Sequence, residues 1–262
     1  MNILKPAYAE AAKSSYAVFK KLRDEGVIEP GVRFQVSIPT AGAIICSHIS
    51  TPFRSEVDAA LEPQVLALLK EVQEAIPAED LAIQIDLAAE MGYLENETER
   101  SPDLWFAWFE KGKTMSELVP RIQRHIAAVN DNVQLGFHFC YGDVGHQHWG
   151  QPLDTGLMVS LLNEIKKVSG RRIDFVHLPV PVDRTDEAYF QPLTKADIDP
   201  STELYLGVVR ENDAEGTAKR LAAAQQVVKR PFGIAAECGL GRIDAAAAQS
   251  VLKISSDLAG PA

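Results

Sequence analysis

Two soft metal donors stand one residue apart in Gln134-Leu-Gly-Phe-His138-Phe-Cys140-Tyr141. In a strand, alternate side chains face opposite ways. Leu135, Phe137, Phe139 and Tyr141 then form one apolar face, and Gln134, Gly136, His138 and Cys140 form the other. Imidazole nitrogen and thiolate sulfur are usual donors to zinc, whose catalytic sites take three protein ligands and keep one position exchangeable. Cys238, in Ala-Glu237-Cys238-Gly-Leu-Gly-Arg, ends a later strand in the same manner and is the third candidate. Any one inward cysteine is as often a small buried hydrophobe as a ligand; the three residues together are more specific. Cys46, in Ala-Ile-Ile-Cys-Ser-His, has no partner pattern and is read as core.

Beyond Cys140, the segment Tyr141-Gly-Asp143-Val-Gly-His146-Gln-His148-Trp149 gathers a carboxylate, two imidazoles and two aromatics. Imidazole titrates near neutrality and suits general acid or base work. Asp143 and His146 are read as a proton-transfer pair, and His148 as an exposed loop residue. In Leu81-Ala-Ile-Gln84-Ile-Asp86-Leu, alternation turns Gln84 and Asp86 inward. An unpaired carboxylate is expensive there, so Asp86 is expected to meet substrate or an ion-pair partner. Arg210-Glu211 closes the next-to-last strand, in place for a substrate acid or for a solvated salt bridge. Trp105 and Trp108, three apart, fit the anchor of a surface helix.

These residues need a scaffold that brings distant strand ends together. Helical spacing of apolar residues predicts helices over 7–25, 62–76, 115–129, 155–168, 215–229 and 244–258, and short alternating or apolar runs predict strands over 33–40, 81–88, 133–142, 173–181, 203–209 and 231–239. An elaborated loop or extra helix is expected over 93–112. Strict alternation with short connections implies a parallel sheet with right-handed crossovers, as a (β/α)8 TIM-type barrel or as an open doubly wound sheet. No G-x-G-x-x-G follows the first strand, and Gly239-Leu-Gly-Arg242 lacks the Lys-Ser/Thr pair of a phosphate-binding loop. With no linker, repeat or low-complexity tract, one domain over 1–262 is expected.

The chain has 262 residues, 46% hydrophobic and 24% charged, which is enough to bury a core without disulfides. A net charge of −10 disfavours nucleic acid and anionic membranes and favours a small-molecule substrate. The uncharged run 34–53 carries Pro39, Gly42 and His48 among other polar residues and does not read as a membrane span, and the first residues do not read as a secretion signal. Three widely separated cysteines suit a reduced, cytoplasmic setting.

The pair His138-Phe-Cys140-Tyr and the later Glu237-Cys238-Gly-Leu resemble the catalytic C-terminal barrel of cobalamin-independent methionine synthase. Ile83-Gln-Ile-Asp86 is similar to that barrel's IQIDEPA strand, and Gly207-Val-Val to its penultimate strand, so the likeness runs from about 34 to 242. The resemblance implies a zinc held by His138, Cys140 and Cys238 that activates a substrate thiol for alkyl transfer. The family's fourth ligand, a Glu, falls at or near Pro179; His177, an even step away, or water is left for that place. The Glu of IQIDEPA is replaced by Leu87, with Glu90 one helical turn on. The folate-binding N-terminal half of the synthase has no counterpart here, so the chain resembles the shorter barrels of the superfamily.

The expected fold is therefore a (β/α)8 barrel of which six strands are recognisable and the first two are missing. A late start, a segment outside this chain or a homo-oligomeric partner would account for the two uncovered sheet edges. The expected activity is zinc-dependent transfer of a methyl or other alkyl group to a thiol, with folate among the candidate donors. Asp86, Asp143 and His146 would do the proton chemistry, and Gln84, Glu90, Tyr141, Glu237 and Arg210 would contact substrate. The rival readings are a zinc-dependent hydrolase or lyase and an inactive, truncated barrel acting as a binding protein.

Overall fold

A computed structural model describes residues 7–46, 48–98, 108–142 and 148–260. Helix α1 (Tyr8–Asp24) precedes strand β1 (Phe34–Pro39), followed by a short α2 (Ala41–Ile45), α3 (Arg54–Ala75) and β2 (Leu81–Leu87). Then come α4 (Ala88–Glu97), α5 (Thr114–Ala127), β3 (Gln134–Phe139), α6 (Gly156–Ser169) and β4 (Phe175–Pro179). The remainder is α7 (Glu187–Phe190), β5 (Glu203–Val209), α8 (Ala214–Val227), β6 (Gly233–Ala236) and α9 (Ala245–Leu258).

The six strands form one sheet in the order β1-β2-β3-β4-β5-β6, and every neighbouring pair is parallel. Strands laid down in sequence order, without the reversal of a doubly wound sheet, are the arrangement of a (β/α) barrel. Among the described strands, β1 and β6 are edges and do not pair with each other. No helix of the described residues is long and apolar enough to cross a membrane.

The two faces of the sheet differ as alternation requires. Ile83, Ile85, Leu135, Phe137, Val176 and Leu206 are completely buried beneath the helices. The opposite, concave face carries Gln35, Ser37, Gln84, Asp86, Gln134 and His138. Aligned parallel strands therefore point their polar residues into one space and leave their C-terminal ends at one rim.

Two boundaries differ from the sequence expectation. α3 begins at Arg54, eight residues before the expected 62, and takes Pro63 inside it. The buried Arg54 donates through Nε to Ile49 O (2.8 Å) and through a terminal nitrogen to Cys46 O (2.6 Å), anchoring the first turn of α3. α4 starts directly after β2, ahead of the segment expected to be elaborated. Trp108 packs edge-on against Tyr93 of α4 at 5.8 Å between ring centroids; Trp105 lies outside the described residues.

Candidate metal centre

His138 belongs to β3, Cys140 follows it by two residues, and Cys238 follows the end of β6 by two. Parallel packing brings both ends to the same rim, although the two cysteines are 98 residues apart in sequence. One donor atom from each of the three lies within 4.8 Å of the others. The sulfurs of Cys140 and Cys238 are 3.8 Å apart, and neither forms a disulfide. Two sulfurs bonded at about 2.3 Å to one tetrahedral ion stand roughly 3.8 Å apart, so the pair has the spacing of ligands.

The surroundings fit the same occupant. His138 is 4% exposed, yet among the described residues neither of its ring nitrogens has a hydrogen-bond partner of normal geometry, a costly state for a buried polar group. The neighbouring Cys140, against the burial of its own sulfur, holds the Cys238 thiol well below its ordinary value, with His138 adding to the effect. Cys238 and burial in turn push Cys140 up. Burial disfavours charge on His138, but the Cys238 sulfur and the Asp86 carboxylate outweigh it and raise its pKa. The Gly142 N–H donates to Cys140 Sγ (3.3 Å). Gly142 sits at φ +87°, and a Cβ there would come within 2.2 Å of Trp149, so only glycine fits this turn. His138, Cys140 and Cys238 thus form a group suited to holding a metal ion.

His177, expected as a fourth ligand, is not part of this group. Its ring stacks on His138 at 4.5 Å, and burial with the nearby His138 holds it well below the ordinary imidazole value, hence neutral. A Cβ on Gly207 would lie 2.8 Å from Glu237 Cα and 3.2 Å from His177 Nε2. That glycine permits the close approach of β5 to the segment that carries Cys238.

The centre opens onto a cavity of about 810 Å³ along the concave face. Gln84 is buried there and fully used: its oxygen accepts from Gln35 (3.1 Å), and its nitrogen donates to Ser37 Oγ (3.0 Å) and Asp86 Oδ1 (2.8 Å). Burial raises the Asp86 carboxyl, with His138 and Gln84 opposing. Glu237, beside Cys238, is held between His148 Nε2 at 2.8 Å and Arg210 at 3.3 Å. Burial works against a charge on His148, yet Glu237 lifts its pKa above the ordinary value.

The structure therefore brings His138, Cys238, Asp86 and Gln84 to one cavity, sets Cys140 beside His138 and Cys238, and clamps Glu237 and Arg210 to each other. It takes Tyr141 and Glu90 elsewhere. Tyr141 belongs to the outer face, is completely buried and donates to Glu95 Oε1 (3.0 Å). Glu90 lies behind β2, where it accepts from the Thr40 hydroxyl. Both displacements follow from alternation, since odd positions of β3 and the helix after β2 face away from the cavity. Asp143 and His146 lie outside the described residues. His148, expected to be exposed, has a side chain only 6% exposed in its pair with Glu237; no spacing in the sequence joins residues 148 and 237. Ser37 and Gln35 were unmarked, although the alternation of β1 points them inward.

No protein-family model matches the sequence, and a search of curated proteins finds no match. Solved structures do match in fold. One is a B12-independent methionine synthase from Shewanella sp. W3-18-1, solved in complex with selenomethionine, with a TM-score of 0.53 and 15% identity over 97% of this chain and 66% of that one. Another, from Listeria monocytogenes, is described as a vitamin-B12-independent methionine synthase and matches with a TM-score of 0.54 and 17% identity, over 90% of this chain and 67% of that one. This chain thus spans about two thirds of the length of each. At such identities the likeness is one of fold alone.

Proposed function

We propose that this protein is a zinc-dependent transferase that moves a methyl or other alkyl group to a substrate thiol. The observation that carries the reading is the group His138, Cys140 and Cys238, with donor atoms within 4.8 Å, at the C-terminal rim of a parallel sheet, where such folds build their active sites. Three protein donors leave one tetrahedral position for substrate. Zinc, when bound, supplies Lewis acidity that lowers the pKa of a thiol and makes it a nucleophile near neutral pH.

The chain's own residues do the rest. Asp86, beside His138 and fixed through Gln84, would orient the thiol-bearing substrate from the cavity floor. Glu237, clamped by His148 and Arg210, would hold the strand end that presents Cys238. Asp143 and His146, between Gly142 and His148 in sequence, are assigned the proton transfers that accompany departure of the donor. The cavity of about 810 Å³ has room for a donor of folate size beside a small thiol.

The test is metal content by inductively coupled plasma mass spectrometry on protein purified without added zinc, followed by methyl transfer to a panel of thiols. About one zinc per chain and turnover that requires a thiol are expected. Zinc with thiol-independent hydrolysis would point to the hydrolase or lyase alternative, and well-folded protein that binds no zinc when offered it would overturn the reading.

A further inference from the structure

Behind β2, away from the metal group, α3, α4 and α5 enclose a second cavity of about 10 Å³ lined by Thr40, Asp58, Glu90, Arg121 and His125 among others. Asp58 is 5% exposed, Glu90 2% and His125 1%. Each of the three leaves one atom that no group of the described residues hydrogen-bonds: Asp58 Oδ1, Glu90 Oε2 and His125 Nε2. Buried polar atoms left in this state are costly unless a bound molecule completes them.

The bonds these residues do make fix what remains to be offered. Asp58 Oδ2 accepts from Arg121 Nε (3.0 Å), leaving Oδ1 as an acceptor. His125 Nδ1 lies 2.9 Å from Arg121 O; a carbonyl only accepts, so Nδ1 carries the proton and Nε2 is a bare acceptor. The Ala43 N–H donates to Thr40 Oγ1 (3.0 Å), leaving the Thr40 hydroxyl proton to go to Glu90 Oε1. Burial pushes Glu90 up to about 7 despite that bond, so below neutral pH its second oxygen carries a proton. Glu62 also lines the cavity, and Asp58 and Asp86 act on Glu90 with the same sign as burial.

The set is two acceptors and one donor, and its complement is a molecule with two donors and an acceptor. We propose that a single water molecule is bound here, donating to Asp58 Oδ1 and His125 Nε2 and accepting from protonated Glu90, and so joining α3, α4 and α5 behind the strand that carries Asp86. The cavity has the room that one water needs, about 10–15 Å³. Among the described residues the group whose donor atoms are placed to hold a metal ion is His138, Cys140 and Cys238, and Asp58, Glu90 and His125 do not form one.

A crystal structure of the wild-type protein tests this directly, with anomalous data above and below the zinc edge. The expected result is one oxygen peak with no anomalous signal, at hydrogen-bond distance from all three atoms. An empty cavity, an anomalous scatterer or direct contact of Glu90 with Asp58 or His125 would overturn it. In solution, Glu90→Gln supplies an amide donor at the same place and should keep the water and, at pH 4, where Glu90 is protonated in the folded and unfolded chain alike, the wild-type melting temperature. Glu90→Met should lose both. Equal stability and equal density in the two variants would also overturn the proposal. None of these readouts depends on zinc or turnover, so the proposal stands or falls apart from the transferase reading.

Discussion

The two buried clusters lie on opposite sides of β2 and share one symptom: histidine nitrogens and other polar atoms sealed from water without partners among the described residues. They differ in donor chemistry and in the space they face. The rim cluster offers two sulfurs 3.8 Å apart and an imidazole, facing a large open cavity. The cluster behind β2 offers hard oxygens and one nitrogen, facing a space of about 10 Å³. An unsatisfied buried atom announces that something belongs beside it; the softness, separation and access of the atoms decide what.

The strongest way to break this contrast is to remove a sulfur. Cys140→Ser and Cys238→Ser should each lower zinc affinity by on the order of 100-fold or more and abolish thiol alkylation, as measured by competition with a chelating dye. Glu90→Met should leave that affinity unchanged.

Stability against pH probes the other cluster. Burial raises Glu90 from 4.5 to about 7, so the folded state binds a proton that the unfolded state has released. Its contribution is present below about pH 4.5 and is lost as pH rises through about 7, a change of roughly 3 kcal/mol. Denaturant titrations should show wild-type stability falling over that interval and Glu90→Gln flattening the fall; equal slopes would break the assignment.

A smaller effect is expected at the rim. His148→Ala frees one side of Glu237 and should weaken zinc binding about 10-fold, as the loss of an outer partner does, detectable by isothermal titration with the metal. Tyr141→Phe removes the bond to Glu95 and should cost about 1–2 kcal/mol of stability with zinc retained. The smallest effect belongs to Cys46→Ser: Cys46 donates locally to Ala43 O and should leave metal content unchanged.

Most of the scaffold was legible. The six strands and their parallel order follow from local apolar periodicity, and each observed strand falls within its expected segment. The inward set of β3 was readable because strand geometry has a period of two, and His138 and Cys140 share a face in the structure as a result. The start of α3 was not legible, because the apolar spacing begins at Val65 and the first turns are fixed by Arg54 bonding to the carbonyls of Ile49 and Cys46 in the preceding segment. His148 was not legible either. Its partner Glu237 lies on another strand end, and a lone histidine in a polar loop carries no local mark of burial.

What the sequence determined by itself is everything governed by neighbours a few residues apart: which segments are helix or strand, which side chains share a face, and that His138 and Cys140 belong together. The sequence also offered Cys238 as the third donor, and the tertiary structure brings its sulfur to theirs; only the tertiary structure decided that Glu237 is clamped by His148 and Arg210 and that Glu90 faces a small polar space behind β2. The reason is physical. Side-chain direction is set by local backbone geometry, whereas desolvation and charge pairing are set by what the packed chain brings within a few ångströms, and that proximity is written in no short stretch of residues.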